Sequence, residues 1–312
     1  MVSYQYGLGE DMPTSKNTLG IILAAGKSSR LYPATFATTK QVLPIYDKPL
    51  IYYPLSTLML AGIRDFMIIS TPEEKSIFET LLWDAEDRMG IEVKFAVQQN
   101  PNGIADAFNV ANDWFQYEDP NDQYDRYALI LGDNIFYGAA LSELLIHANE
   151  DNVPTIFATR VPDPERFGVV TLDNSGRAID LEEKPVNPKS DLAVTGLYFY
   201  DTTVFHHVSK LTPSARGELE ITDLNKIYMK RGELKAIKLL RGMIWFDTGT
   251  VDSLLEASNL IQMIQKHQGH MIGSPHEIAY KKGWIDKESL RQTALLCEKS
   301  AYGKYLMDLL ET

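Results

Sequence analysis

The sequence predicts an α/β protein: a mostly parallel twisted sheet flanked by helices, with an antiparallel β extension and a helical C-terminal tail. Three features carry that prediction. Short apolar runs alternate with longer helix-like segments up to about Val153; strands separated by turns follow; from Val251 the apolar spacing is helical. The composition agrees. With 312 residues, 45% hydrophobic and 23% charged, the chain is ordinary globular protein, long enough for one large domain or two average ones.

Gly20-Ile21-Ile22-Leu23-Ala24, Phe66-Met67-Ile68-Ile69 and Tyr127-Ala128-Leu129-Ile130-Leu131 read as buried strands. Between the first two, Leu50 to Gly62 is apolar on most sides and closed by glycine, the usual stop of a helix. Pro72 to Met89 and Ile104 to Phe115 read as helices on either side of a strand at Glu92 to Val97. Strand–helix–strand alternation implies right-handed crossovers and a sheet covered on both faces. Thr155 to Ala158, Gly168 to Leu172, Ala193 to Tyr200 and Lys235 to Leu240 read as strands of an antiparallel extension or of a small β layer beside the sheet. Ser253 to Gln268 has apolar residues at helical spacing, and Lys287 to Cys297 and Gly303 to Leu310 complete a helical tail.

The formal charge of −12 excludes a general nucleic-acid binder, which needs basic patches, but not a small phosphorylated ligand. The longest apolar stretch, Ile51 to Ile63, contains Pro54 and falls short of the ~20 residues that cross a bilayer. Met1 to Thr18 is polar without an apolar h-region, so it reads as a loose extension ordered by a partner subunit or by nothing. Cys297 is the single cysteine; it permits no internal disulfide, suits the cytoplasm and reads as a packing residue. His206-His207 and His267-x-x-His270 lack zinc-ligand company, and no G-x-S-x-G elbow offers an acyl-transfer nucleophile.

In open parallel sheets, ligands bind beyond the carboxyl ends of the strands. After the first strand comes Leu23-Ala24-Ala25-Gly26-Lys27-Ser28-Ser29-Arg30. Small residues there let backbone N–H groups approach a phosphate, while Lys27 and Arg30 can neutralise it. It is not a Walker A loop, whose glycine would have to stand at Ile21, and no G-x-G-x-x-G is present. Downstream come Thr39-Lys40-Gln41-Val42-Leu43-Pro44, Leu131-Gly132-Asp133-Asn134, Leu181-Glu182-Glu183-Lys184-Pro185, Ser214-Ala215-Arg216-Gly217-Glu218-Leu219-Glu220 and Trp245-Phe246-Asp247-Thr248-Gly249-Thr250. Asp133 follows a buried strand and Asp247 follows an apolar run, so both carboxylates should emerge at strand ends, where two of them can share a Mg²⁺ ion.

These segments, in this order, resemble the sugar-nucleotide pyrophosphorylases over Leu19 to Leu310, nearly the whole chain. The resemblance implies a Rossmann-like nucleotidyltransferase fold and nucleotidyl transfer with Mg²⁺. dTTP and glucose 1-phosphate are the implied reactants, and the product would feed deoxysugar and surface-polysaccharide synthesis. It places Asp133 and Asp247 on the metal, and Arg30, Lys40 and Lys184 on the phosphates as catalytic cations. For the nucleotide it implies Leu23, Ala25, Gly26, Ser29, Gln98 and Gly103. For the sugar phosphate it implies Asn134, Gly168, Glu183, Lys184, Val194, Tyr198 and Arg216. A homotetramer is implied too. Three departures stand out: Ala25, Ser28 and Ser29 replace the usual Gly, Gly and Thr; Phe167 replaces a tyrosine; Ala139 replaces a histidine beside a surface linked to regulation. If Ser28 occupies a glycine conformation with positive φ, it is strained.

The expected organisation is an extension over 1–18, a nucleotidyltransferase core over 19–250 and a helical cap over 251–312. The core divides into a nucleotide half to about 150 and a sugar-phosphate half beyond it. Two alternatives stay open: a pyrophosphorylase using UTP or another sugar, and a non-catalytic sugar-nucleotide sensor. One methyl separates thymine from uracil, worth only about 1–3 kcal/mol of discrimination.

Overall fold

The computed structural model describes residues 17–26, 28–120 and 122–311. The expectations for residues 1–16 and for Lys27 lie outside the described residues. The strands are β1 (Thr18–Leu23), β2 (Pro44–Ile45), β3 (Lys48–Pro49), β4 (Asp65–Ser70), β5 (Glu92–Val97), β6 (Arg126–Leu131) and β7 (Asn134–Tyr137). They continue with β8 (Thr155–Arg160), β9 (Gly168–Leu172), β10 (Ala178–Glu183), β11 (Leu192–Asp201), β12 (Lys235–Lys238) and β13 (Ile244–Asp247). The helices are α1 (Tyr52–Leu60), α2 (Lys75–Leu81), α3 (Ala85–Met89), α4 (Asp106–Tyr117), α5 (Leu141–Glu150) and α6 (Val204–Val208). They end with α7 (Ile221–Lys230), α8 (Val251–Gln268), α9 (Pro275–Lys281), α10 (Lys287–Leu296) and α11 (Ala301–Asp308).

Among the described residues, nine strands form one sheet, β10-β9-β11-β6-β1-β4-β5, with β8 beside β11 and β12 beside β8. β6, β1, β4 and β5 are parallel. β11 runs antiparallel to β6, β8 and β9, so the second half of the chain extends the same sheet and does not build a separate layer. Alternate side chains of a strand face opposite ways, and both faces are covered. Ile22, Ile68 and Ile130 face one core with Leu55, Phe78 and Leu290; Ile21, Ile69 and Leu129 face another with Phe108, Leu224 and Tyr228. Having placed β4 and β5 on one side of β1, the chain crosses over through α4 to place β6 on the other. That reversal is a topological switch point, and it opens a crevice at the carboxyl ends of β1 and β6.

Three local expectations are corrected. Asn17 and Thr18 are not part of a loose extension: Thr18 opens β1 and is 3% exposed, and its hydroxyl donates to Asn149 Oδ1 at 2.9 Å. The helix expected over Pro72 to Met89 breaks at Leu82–Asp84 into α2 and α3. Phe78, Leu82, Ala85 and Met89 keep an unbroken helical spacing into the core, so the periodicity conceals the break. Of the apolar face expected on α8, only Ala257 and Ile261 are fully buried, whereas Leu255 is 57% exposed.

Helix α9 holds a histidine with a measurable consequence. Ser274 caps the helix by accepting from the Glu277 amide, and Pro275 starts it. His276 is 5% exposed, with Nδ1 2.8 Å from the Tyr302 hydroxyl. Burial, helped by Arg88, lowers its pKa to about 3. Its unfolded value is higher, so its stabilising contribution is complete above about pH 6.5 and declines as pH falls toward 3, by ~1.4 kcal/mol per unit at most. Urea unfolding of His276→Gln should show a shallower loss of stability than the parent between pH 6 and pH 4. Parallel curves would remove this histidine from the account.

Candidate active site

The crevice is built from chain segments that leave the sheet. Beyond β1, the Gly132 amide donates to Leu23 O at 2.9 Å, and the Ala24 amide donates to Ile69 O at 2.7 Å, which pins the loop between β4 and β6. Ser28 has φ 50° and ψ 23°, the left-handed conformation that glycine adopts without strain. The chain tolerates it with two hydrogen bonds: Ser28 Oγ donates to Gly26 O at 3.2 Å, and Thr35 Oγ1 donates to Ser28 O at 2.9 Å. Ala25 is buried; Gly26, Ser29 and Arg30 are exposed on the crevice side, and Leu23 is half-buried.

Lys40 sits at the start of the 3-10 turn Lys40–Val42 and forms an ion pair with Asp133. A side chain at Gly26 would bring its Cβ 4.0 Å from Lys40 Nζ, so this ammonium lies directly below the loop. Asp133 accepts from Asn134 Nδ2 at 3.0 Å, while its backbone carbonyl accepts from both the amide and the hydroxyl of Thr248, at 3.0 and 2.7 Å. Asp247 ends β13 and is paired with Asn134 in the antiparallel β7–β13 ribbon, which brings two distant carboxylates together.

The two acids are unlike each other. Burial pushes the Asp133 carboxyl up, but the charge and hydrogen bond of Lys40, with the Asn134 amide, leave it below its ordinary range. Burial, and then the adjacent Asp133 charge, hold Asp247 above its ordinary range; Lys40, Arg166 and Arg30 only partly compensate. Asp247 is therefore a carboxylate short of positive charge. A Cβ on Gly249 would lie 3.1 Å from Asp247 Oδ1 and 4.0 Å from Arg30 Nη1, so the Arg30 guanidinium is at the same spot.

A second cluster lies at the ends of β9 and β10. Glu183 accepts from Thr222 Oγ1 at 2.5 Å and from Arg216 Nη2 at 3.3 Å, and Lys184 Nζ is 3.8 Å from its Oε1. A Cβ on Gly168 would stand 3.0 Å from Thr222 Oγ1, 3.3 Å from Glu183 Oε2 and 4.0 Å from Val194 Cβ. Tyr198 is buried in the same core as Val194, and its phenol is raised by burial and by the Glu183 charge. Lys184 has φ 45° and donates its amide to Phe167 O at 3.0 Å. Arg216 is anchored to Glu220, with Nε 3.1 Å from Oε1 and Nη2 2.7 Å from Oε2.

A third group comprises Gln98 and Gly103. Gln98 is 4% exposed and donates to Asp106 Oδ2 at 2.9 Å and to Gly103 O at 3.4 Å. Gly103 has φ +105°, and a Cβ there would meet Leu219 O at 2.5 Å. The glycine is thus required by the strap of residues around Leu219, not only by a ligand.

The structure also changes the part given to Asn134. It is 1% exposed, and its Oδ1 accepts from the Gly196 amide at 3.1 Å and from Trp245 Nε1 at 2.6 Å, while Nδ2 serves Asp133. One amide N–H remains for any ligand, so the side chain chiefly ties β7, β11 and β13 together. Sequence reasoning missed Thr248, Thr222, Trp245 and Arg166. All four lie inside or beside quoted motifs, but their roles depend on pairings across 39 residues or more for Thr222 and 111 or more for Trp245 and Thr248.

The switch-point crevice, the two neighbouring carboxylates and the cations beside them suit a site that handles phosphorylated ligands. A family model described as nucleotidyl transferase matches residues 19–263, and the chain belongs to that family. Within it, a Neisseria meningitidis protein is 48% identical over 293 residues, covering 94% of this chain and 99% of its own length. A Mycobacterium tuberculosis protein is 47% identical over 292 residues, with 94% and 99% covered. Both are named glucose-1-phosphate thymidylyltransferase, and the chain takes its place among them. A Bacillus anthracis crystal structure in complex with a sucrose superposes with TM-score 0.68 at 40% identity, covering 78% of this chain and 94% of that one. A UDP-glucose pyrophosphorylase complexed with UDP-glucose shares the fold, with TM-score 0.67 at 23% identity over 79% and 99%. Among the described residues, no helix is long and apolar enough to cross a membrane.

Proposed function

We propose that the protein transfers a thymidylyl group from dTTP to α-D-glucose 1-phosphate, releasing pyrophosphate, with Mg²⁺ as its metal. The observation that carries this reading is the convergence of Asp133 and Asp247 beside Lys40 and Arg30, in a chain about half identical to thymidylyltransferases. The residues fit the ion. Two hard carboxylate oxygens are the protein share Mg²⁺ takes when phosphate and water supply the rest, and the charge-short Asp247 gains from a cation. When bound between Asp133 and Asp247, Mg²⁺ supplies charge stabilisation at the phosphates.

The sugar-phosphate oxygen attacks the α-phosphorus, and the electron pair of the broken bond leaves on pyrophosphate. Both reactants are anions, so repulsion and alignment dominate the barrier, and holding them in line is worth up to ~7–11 kcal/mol. In this reading Lys40 leaves part of its bond to Asp133 and faces the α-phosphate, and Arg30 with Ser29 and the backbone at Ala25 and Gly26 holds the triphosphate. Lys184 and Arg216 hold the incoming phosphate. Glu183 accepts from sugar hydroxyls, Gly168 leaves room for them, and Val194 and Tyr198 form the apolar floor. Leu23 packs on the base, whose edge meets Gln98 and Gly103.

Pyrophosphate release on mixing dTTP, glucose 1-phosphate and Mg²⁺ tests the proposal, with UTP and with galactose and amino-sugar phosphates in parallel. Release should be greatest with dTTP and glucose 1-phosphate and should vanish with EDTA. Tight binding of dTDP-glucose without any release would instead make the protein a sensor.

A further inference from the structure

A cleft of about 720 Å³ opens beside Asp247, and two arginines from separate segments line it: Arg30 from the loop after β1 and Arg166 from the 3-10 turn Pro164–Arg166 ahead of β9. We infer that Arg166 is a further phosphate ligand, closing on the pyrophosphate end of the nucleotide together with Arg30. The inference rests on the proposed reaction, but on a residue to which that reading gives no part.

Three features of the geometry support it. Arg166 is held without being used up: Nη1 bonds Asp163 Oδ2 at 2.5 Å, and a guanidinium has five N–H donors, so most of its edge is left for oxygens. The side chain is half exposed and lies over the Phe167 ring, 5.3 Å from its centroid, while that ring packs on Trp245 at 5.2 Å. The arginine is therefore aimed by an aromatic wall and does not trail in solvent. The charge of the cleft makes the same point. Among the described residues that line it, Asp163, Asp247, Asp252 and Glu256 face two cations, Arg30 and Arg166. A leaving pyrophosphate gains negative charge as the α-phosphorus bond breaks, and it would meet a wall of carboxylates unless both arginines faced it. Because β9 carries Gly168 of the sugar group, an arginine at its entry also links the two halves of the site.

The test is steady-state kinetics of the full-length protein in both directions, with Arg166→Ala, Arg166→Lys and the parent compared. KM for pyrophosphate in the reverse reaction should rise at least tenfold in Arg166→Ala and less in Arg166→Lys, while KM for glucose 1-phosphate in the forward reaction stays within twofold. Thermal unfolding of both variants separates folding from binding; if the alanine variant is unstable, the lysine variant decides alone. An unchanged pyrophosphate KM, or a rise confined to glucose 1-phosphate, overturns the inference. A parent that releases no pyrophosphate defeats the proposed reaction itself, which is a different result from equal kinetics in parent and variants.

Discussion

Asp247→Asn should lower turnover by about 10³-fold while leaving the protein more stable than the parent. The first half follows from the metal. Removing one of two carboxylates takes away several kcal/mol of charge stabilisation, and each ~1.4 kcal/mol is a factor of ten in rate. The second half follows from the environment. Asp247 is half-buried, lies next to Asp133 and titrates above its ordinary range, so in the absence of metal its charge works against the fold at neutral pH. An uncharged isostere relieves that repulsion. Asp133→Asn should cost a similar factor in rate but should lower the melting temperature, because it leaves the Lys40 ammonium without its carboxylate. Opposite melting shifts in two equally inactive variants is an outcome that an ordinary pair of surface aspartates cannot produce. Turnover of Asp247→Asn within tenfold of the parent at saturating Mg²⁺ would remove the carboxylate pair from the chemistry.

How much of this was legible beforehand follows from sequence distance. The parallel strands announce themselves locally, since most are short, largely apolar runs between turns. β5 and β9 have the bounds that their residues suggest. The helical tail is legible for the same reason, although α9 passed unread despite Ser274-Pro275 and Glu277 at its start. The site is another matter. Asp133 and Asp247 were picked out by position after apolar runs and by resemblance, but nothing local says that β13 lies against β7, and only that ribbon brings the two acids together. Gly103 shows the same limit from the other side. Its glycine reads as an opening for a base, yet the atom its missing side chain would strike belongs to Leu219, more than a hundred residues on. Ser28 is a case where the resemblance sufficed: the family's usual glycine at that place marks the serine as strained if φ is positive, and φ is 50°.

Lys184→Ala should lower kcat/KM for glucose 1-phosphate by about 10–100-fold, the value of a charge-assisted hydrogen bond of 1.5–3 kcal/mol, with KM for dTTP little changed. The division between substrates comes from where the lysine is held. Its neighbour Glu183 is fixed by Thr222 and Arg216, its amide is tied to Phe167 O, and Pro185 stiffens the chain on the other side. Those restraints keep Lys184 at φ 45°, a conformation that costs a non-glycine residue about 1–2 kcal/mol. Strain held by its surroundings at the lysine proposed to bind the sugar phosphate points to placement of the ammonium as the return on that cost. The same φ allows the strain to be measured apart from the chemistry. In an ordinary loop Lys184→Gly would be less stable than Lys184→Ala; at a left-handed position the order reverses, by ~1 kcal/mol. Both variants lack the ammonium and should be equally impaired toward glucose 1-phosphate, so a stability difference without a kinetic difference isolates the backbone from the charge. If instead KM for dTTP rises and glucose 1-phosphate saturates as before, Lys184 belongs to the triphosphate, and the sugar phosphate must be held by Arg216 without it.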